Sequence, residues 1–141
     1  MDFYEELVMF YLTAIRGLLV RPQVPIVLTD QDGKVTWEAY PDFWAVDFEK
    51  KQIAVVEVSK NWKVAKNIQH KLSADYRTTV EKHVRQMLKD ELPQFPLHWH
   101  FIVRVQAMDT LKGLLEKEAL VQITEVTSIE SIFEIVRKTM P

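Results

Sequence analysis

The sequence contains no cysteine, and that absence excludes a disulfide framework, thiolate zinc sites, iron–sulfur ligation and thiol catalysis. Glycine is nearly as scarce. Gly17, Gly33 and Gly113 are the only three in 141 residues, so no glycine-rich loop exists to cradle a nucleotide phosphate or a dinucleotide. No run approaches the roughly 20 apolar residues of a membrane span, since the stretch from Leu7 to Ile15 is broken by Thr13 and ended by Arg16. Asp2, Glu5 and Glu6 stand where a secretory signal would carry positive charge, so a cytoplasmic protein is expected. Strong charge of one sign is lacking too. With 18 Lys+Arg against 20 Asp+Glu the net charge is −2, which disfavours a bulk electrostatic grip on nucleic acid or acidic membrane.

What is present is an ordinary globular composition, 48% hydrophobic and 27% charged, which places the chain outside the disordered and fibrous classes. Its length matches one domain, residues 1–141, large enough to bury its own core. Phe3, Leu7, Phe10, Ala14 and Leu18 recur three and four apart, predicting an amphipathic helix that ends before Pro22. Strand patterns follow. Residues 25–29 and 35–40 flank Asp32-Gly33, a strong hairpin signal because both turn residues tolerate positive φ. Residues 42–48 and 52–59 predict a second hairpin, and the unbroken apolar run Ile53 to Val56 marks its return strand as central.

From Asn61 to about Leu92 the apolar spacing is helical, through Ala65, Ile68, Leu72, Tyr76, Val80, Val84 and Leu88. This predicts either one long helix or two broken near Ser73, ended by Pro93 and Pro96. A strand over 97–105, a helix over 108–119, a strand over 120–126 and a helix over 128–138 complete the chain. In that last helix Ile129, Ile132, Phe133 and Val136 are expected to face inward. The order is helix, three-stranded meander, helix, strand, helix, strand, helix. It predicts an α/β domain, a mixed sheet with helices on both faces.

The chemistry concentrates between Pro41 and Lys60. With Glu49-Lys50 as a two-residue loop, Phe48 faces Lys51 and Asp42 falls opposite Glu57. Directly opposed residues have Cβ atoms about 4.5–5.5 Å apart, so two carboxylates there repel unless a cation lies between them or one is protonated. Hard divalent ions favour such oxygen ligands.

Pro41-Asp42, a hairpin, then Val55-Val56-Glu57-Val58 before a helix resembles the PD-(D/E)XK, or restriction-endonuclease-like, nuclease superfamily. The resemblance extends over residues 3 to about 105, where helix, three-stranded meander, helix and strand match the superfamily core. It implies a nuclease that hydrolyses DNA phosphodiesters with Mg²⁺ or Mn²⁺, held by Asp42, Glu57 and the carbonyl of Val58, with Glu6 or Glu5 of the first helix as a further ligand. It also implies a homodimer. One position departs: the superfamily's Lys would stand at Ser59, leaving Lys60 or Lys63 as the displaced catalytic cation. If neither serves, the resemblance implies an inactive domain that binds nucleic acid or protein.

Charge is uneven along the chain. Residues 1–59 carry five Lys+Arg and ten Asp+Glu, whereas residues 60–91 carry eight and four. Lys60, Lys63, Lys66, Lys71 and Arg77 are accordingly expected to present a phosphate-contacting face. His98 and His100 alternate onto one strand face with no third metal ligand identifiable by spacing, and read as ordinary sheet residues. Trp37, Trp44 and Trp99 read as core or sheet-face residues, and Asp47 as a turn residue. Trp62, just past the site, reads either as a core or interface residue or as a base-stacking ring.

Overall fold

The computed structural model describes residues 1–22, 25–63, 66–88 and 95–139. Ala65, Pro93 and the side chain of Lys66 lie outside the described residues. Five strands form the main sheet in the order β1 (Leu19–Pro22), β4 (Phe43–Asp47), β5 (Gln52–Ser59), β6 (Leu97–Val103) and β7 (Thr124–Ser128). The first three are antiparallel neighbours, and β6 and β7 continue parallel to β5, so the sheet is mixed. Five helices cover it: α1 (Phe3–Phe10), α2 (Lys66–Lys71), α3 (Ala74–Leu88), α4 (Val105–Lys117) and α5 (Ile129–Thr139).

Period-two alternation along β5 divides the core. Ile53 and Val55 join Trp99 and Phe101 beneath α3 and α4, which contribute Val80, Val84 and Leu111. Ala54 and Val56 join Phe43 and Ile102 beneath α1 and α5, which contribute Val8, Ile129 and Ile132, with Leu12 just past the end of α1. Each layer needs the other face of the same strands, which is why β5 is apolar on both sides. Helices thus lie on both faces, as expected. Phe133 is the exception within α5: it is 46% exposed, turned away from the stripe of Ile129, Ile132 and Val136.

The predicted meander is corrected in two ways. Residues 19–22 are a strand rather than the end of the first helix, because α1 passes through a wide turn at Tyr11–Ile15 and Gly17 then reverses the chain at φ +70°. Glycine adopts that conformation without the Cβ clash any other residue meets. Pro22 is tolerated because β1 is an edge strand. The hairpin of β2 (Ile26–Thr29) and β3 (Val35–Ala39) forms around Asp32-Gly33, yet it makes its own two-stranded sheet. Its apolar residues Ile26, Trp37 and Ala39 pack onto the α3 side of the core. The later boundaries move as well. Helix α4 begins at Val105, and β7 at Thr124 after a short 3-10 turn, so the strand predicted over 120–126 shifts toward the carboxyl terminus.

Between β5 and β6 the helical pattern divides in two, with Leu72 and Ser73 between α2 and α3. Ser73 Oγ accepts the Tyr76 N–H at 3.3 Å, the capping contact a serine offers at a helix start. This break sets the site described next, since it leaves Lys71 in the last turn of α2 and Tyr76 in the first turn of α3.

Candidate functional site

Asp42 and Glu57 are brought together by the β4–β5 register. Phe43 pairs with Val56 and Asp47 with Gln52, so Asp42, one residue before β4, falls opposite Glu57 as expected. The loop is longer than the two residues expected: Phe48 to Lys51 connect the strands, and Lys51 adopts φ 56°. Asp47 does serve the turn, its Oδ1 accepting the Lys50 N–H at 2.9 Å. At the open end of the hairpin, Asp42 Oδ2 accepts the Val58 N–H at 2.7 Å. The aspartate therefore continues the ladder after β4 has ended.

Glu57 is completely buried, yet each carboxylate oxygen has a partner. Lys71 Nζ lies 2.6 Å from Oε2, and Tyr76 donates its phenol to Oε1 at 3.1 Å. Burial pushes Glu57 up to about 7, with the Asp42 charge adding to the rise and Lys71 opposing it. Burial raises Asp42 as well, partly offset by the Val58 N–H and Lys71, while the charge of Glu5 adds to the rise. The Tyr76 phenol is held above its ordinary range by its own burial and by the Glu57 charge. Two carboxylates, one ammonium and one neutral phenol thus share a site at the carboxyl end of β5. Charge pairing across a poorly solvated space makes each partner costly to remove.

The other sequence candidates are placed elsewhere. Lys60 is exposed and its Nζ lies 3.5 Å from Asp2 Oδ2, so it pairs with the α1 cap and not with Glu57. Lys63 is exposed, and Glu6 is exposed on α1, whereas Glu5 is half-buried and its charge reaches Asp42. Ser59 is buried at 7% exposure. The expected phosphate-contacting face is also reduced: Lys71 turns inward to Glu57, and Arg77 donates from Nε to the Leu72 carbonyl at 3.1 Å. Sequence reasoning gave Lys71 only a phosphate-contacting role and missed Lys71 and Tyr76 as partners of Glu57. Their available signal was the helix break at Ser73, which points the two flanking turns toward one strand.

A second polar group lies on the α1 face, between β6 and β7. His100 is buried, with Nε2 2.7 Å from Thr127 Oγ1, and burial lowers its pKa to about 4, keeping the ring neutral. Glu125 of β7 faces both histidines, 3.7 Å from His100 Nδ1 and 4.0 Å from His98 Nε2, with Arg16 also at 4.0 Å.

Among the described residues, no group of three or more His, Asp or Glu side chains is placed to hold a metal ion. An ion at Asp42 and Glu57 would therefore rest on two carboxylates, backbone oxygen and water. That donor set suits a hard cation. A carboxylate offers about four lone-pair sites, so Glu57 retains acceptor capacity beside Lys71 and Tyr76. Burial shifts both carboxylates toward protonation, and a bound cation would hold them ionised. The residues fit such an ion on these grounds.

No helix among the described residues is long and apolar enough to cross a membrane. No family model matches the chain, and no curated protein is significantly similar to it.

Proposed function

We propose that this protein is a divalent-metal-dependent nuclease of the PD-(D/E)XK type, with a restriction-endonuclease-like core, that hydrolyses DNA phosphodiesters, and that Lys71 replaces the cation missing at Ser59. One observation carries the proposal: Lys71 Nζ lies 2.6 Å from Glu57, on the carboxylate that the hairpin register sets opposite Asp42. Asp42 and Glu57, with the Val58 carbonyl, would hold Mg²⁺ or Mn²⁺, while Glu5, its Oε2 accepting the Asp2 N–H at 3.2 Å, adds only its charge near Asp42. When bound, the ion supplies Lewis-acid stabilisation and a water of lowered pKa.

The remaining roles belong to the chain itself. Lys71 balances the paired carboxylates and presents its ammonium to the phosphate as charge develops there. Tyr76 fixes the Glu57 side chain by donating to Oε1, so the carboxylate cannot rotate away from Asp42. Surrounding aromatic packing, with Tyr76 5.9 Å from Trp99 and 6.0 Å from Trp37, restricts water and strengthens each charge interaction. A cytoplasmic homodimer belongs to the same proposal.

An inactive binding domain is the second reading, favoured by full burial of Glu57 with both oxygens already engaged. Cleavage assays separate the two. In Mg²⁺ or Mn²⁺ the wild-type chain should nick DNA, and Asp42→Asn should lose about a thousandfold or more of that rate while staying folded, several kcal/mol of metal-dependent stabilisation being lost. Absence of metal-dependent cleavage on single- and double-stranded DNA would leave the binding domain.

A further inference from the structure

Trp62 is neither core nor interior: it is 59% exposed, five residues past Glu57. Five residues span at most about 17 Å, so the indole stands within a few nucleotides of any phosphate at the carboxylates. Its ring is braced. The Arg104 guanidinium lies 4.2 Å from the ring centroid, and Arg104 is itself held by Glu130 at 3.3 Å from its Nε. Arg104 immediately follows the β6 residue Val103, which pairs with Ser59, so the stack belongs to the same sheet end as Glu57.

The acidic groups on the groove beside Arg104 are charge-paired, and an exposed lysine follows Trp62 in the chain. Glu130 is matched by Arg104, Glu134 by Arg137 at 2.9 Å and Asp2 by Lys60, while Lys63 is exposed beside Trp62. Arg104 also walls a groove of about 350 Å³ that exposes Phe3 and Phe133. An exposed indole braced by a cation that also walls an apolar groove is suited to a flat, uncharged ring whose backbone is anionic. Bases inside a duplex are stacked on one another and cannot offer that face.

Resting on the nuclease proposal and naming its substrate class, we propose that Trp62 is a base-stacking platform and that the site takes single-stranded nucleic acid or unpaired ends in preference to paired duplex. Base–aromatic stacking tolerates any sequence, because every base has a π-face. Trp62 is accordingly a positioning residue that acts on affinity, outside the metal chemistry.

The test is made without cleavage, so that it can fail independently of the enzymatic proposal. In EDTA, fluorescence polarisation would compare a labelled 15-mer oligothymidine with a 15-base-pair duplex on the full chain. Single strand should bind at least tenfold more tightly than duplex. Trp62→Ala should weaken single-strand binding about tenfold and duplex binding less than twofold, with Trp62→Phe retaining most of the affinity. Equal affinity of wild type and Trp62→Ala for the oligothymidine would overturn the proposal, whether or not the wild type cleaves DNA. Light scattering that shows Trp62→Ala dissociating a dimer, with DNA affinity unchanged, would also overturn it by making the ring a contact between copies. Trp62-dependent single-strand binding without any cleavage would support the platform and count only against the nuclease.

Discussion

Replacing Lys71 with Met should destabilise the protein by about 1 kcal/mol at pH 5.5 and by about 2 kcal/mol at pH 8. The asymmetry follows from the position of Glu57. Its carboxylate is wholly buried, with Lys71 Nζ at 2.6 Å, and burial already pushes its pKa up to about 7. At pH 8 the wild-type pair is ionised, and without the ammonium Glu57 must take up a proton to stay buried beside Asp42. At pH 5.5 Glu57 carries a proton in either protein, so the variant loses little beyond one hydrogen bond. Urea denaturation of both proteins at the two pH values measures the difference. A cost independent of pH would mean that Lys71 contributes packing rather than charge.

Glu57→Gln should reverse the usual expectation for a carboxylate and remove a destabilising pH dependence. A folded-state pKa near 7, above the ordinary 4.5, means that the native protein binds more protons than the unfolded chain between those values. Stability therefore falls as pH rises through that window, by up to roughly 3 kcal/mol for this one group. His100 acts in the opposite sense. Its pKa of about 4 lies below the ordinary 6.5, so its contribution is lost as pH falls through that interval. The difference between wild type and Glu57→Gln cancels the histidine, because His100 is common to both. That difference should decline steadily from about pH 4.5 to pH 7 and level off above. A flat difference would show Glu57 ionised throughout, held so by Lys71.

The hairpin pair was legible because one alternation constrains it twice. Ile53 to Val56 must lie between two packed layers, and Asp42 and Glu57 share parity under any odd-sum register. The loop proved longer than expected without changing which residues oppose one another. The paired carboxylates at the end of a central strand were therefore readable before any tertiary contact. Strand β1 was hidden because Leu18, Leu19 and Val20 extend the apolar stripe of the preceding helix. Gly17 was the one local signal of a reversal, and its φ of +70° is where the chain turns.

Lys71 was hidden for a different reason. In the sequence it belongs to a basic run, and nothing local distinguishes a lysine facing solvent from one reaching a strand 14 residues earlier. Only the helix break at Ser73 and the packing of α3 over β5 decide that direction. Tyr76 is similar: its place in the apolar periodicity is correct, since it is 4% exposed, but its hydroxyl serves Glu57. Periodicity identifies which face of a helix is buried and is silent about the polar tip of an amphipathic side chain. The His98–His100 alternation likewise found its carboxylate, Glu125, only through the parallel pairing of β6 with β7.

The central claim is that Asp42, Glu57 and Lys71 form one metal-dependent site, and anomalous diffraction from crystals soaked in Mn²⁺ tests it most directly. The account predicts a single ion ligated by Asp42 and Glu57, with Lys71 Nζ within hydrogen-bond reach of a water on that ion. An intact Glu57–Lys71 pair with no ion beside it at saturating Mn²⁺ would contradict the account.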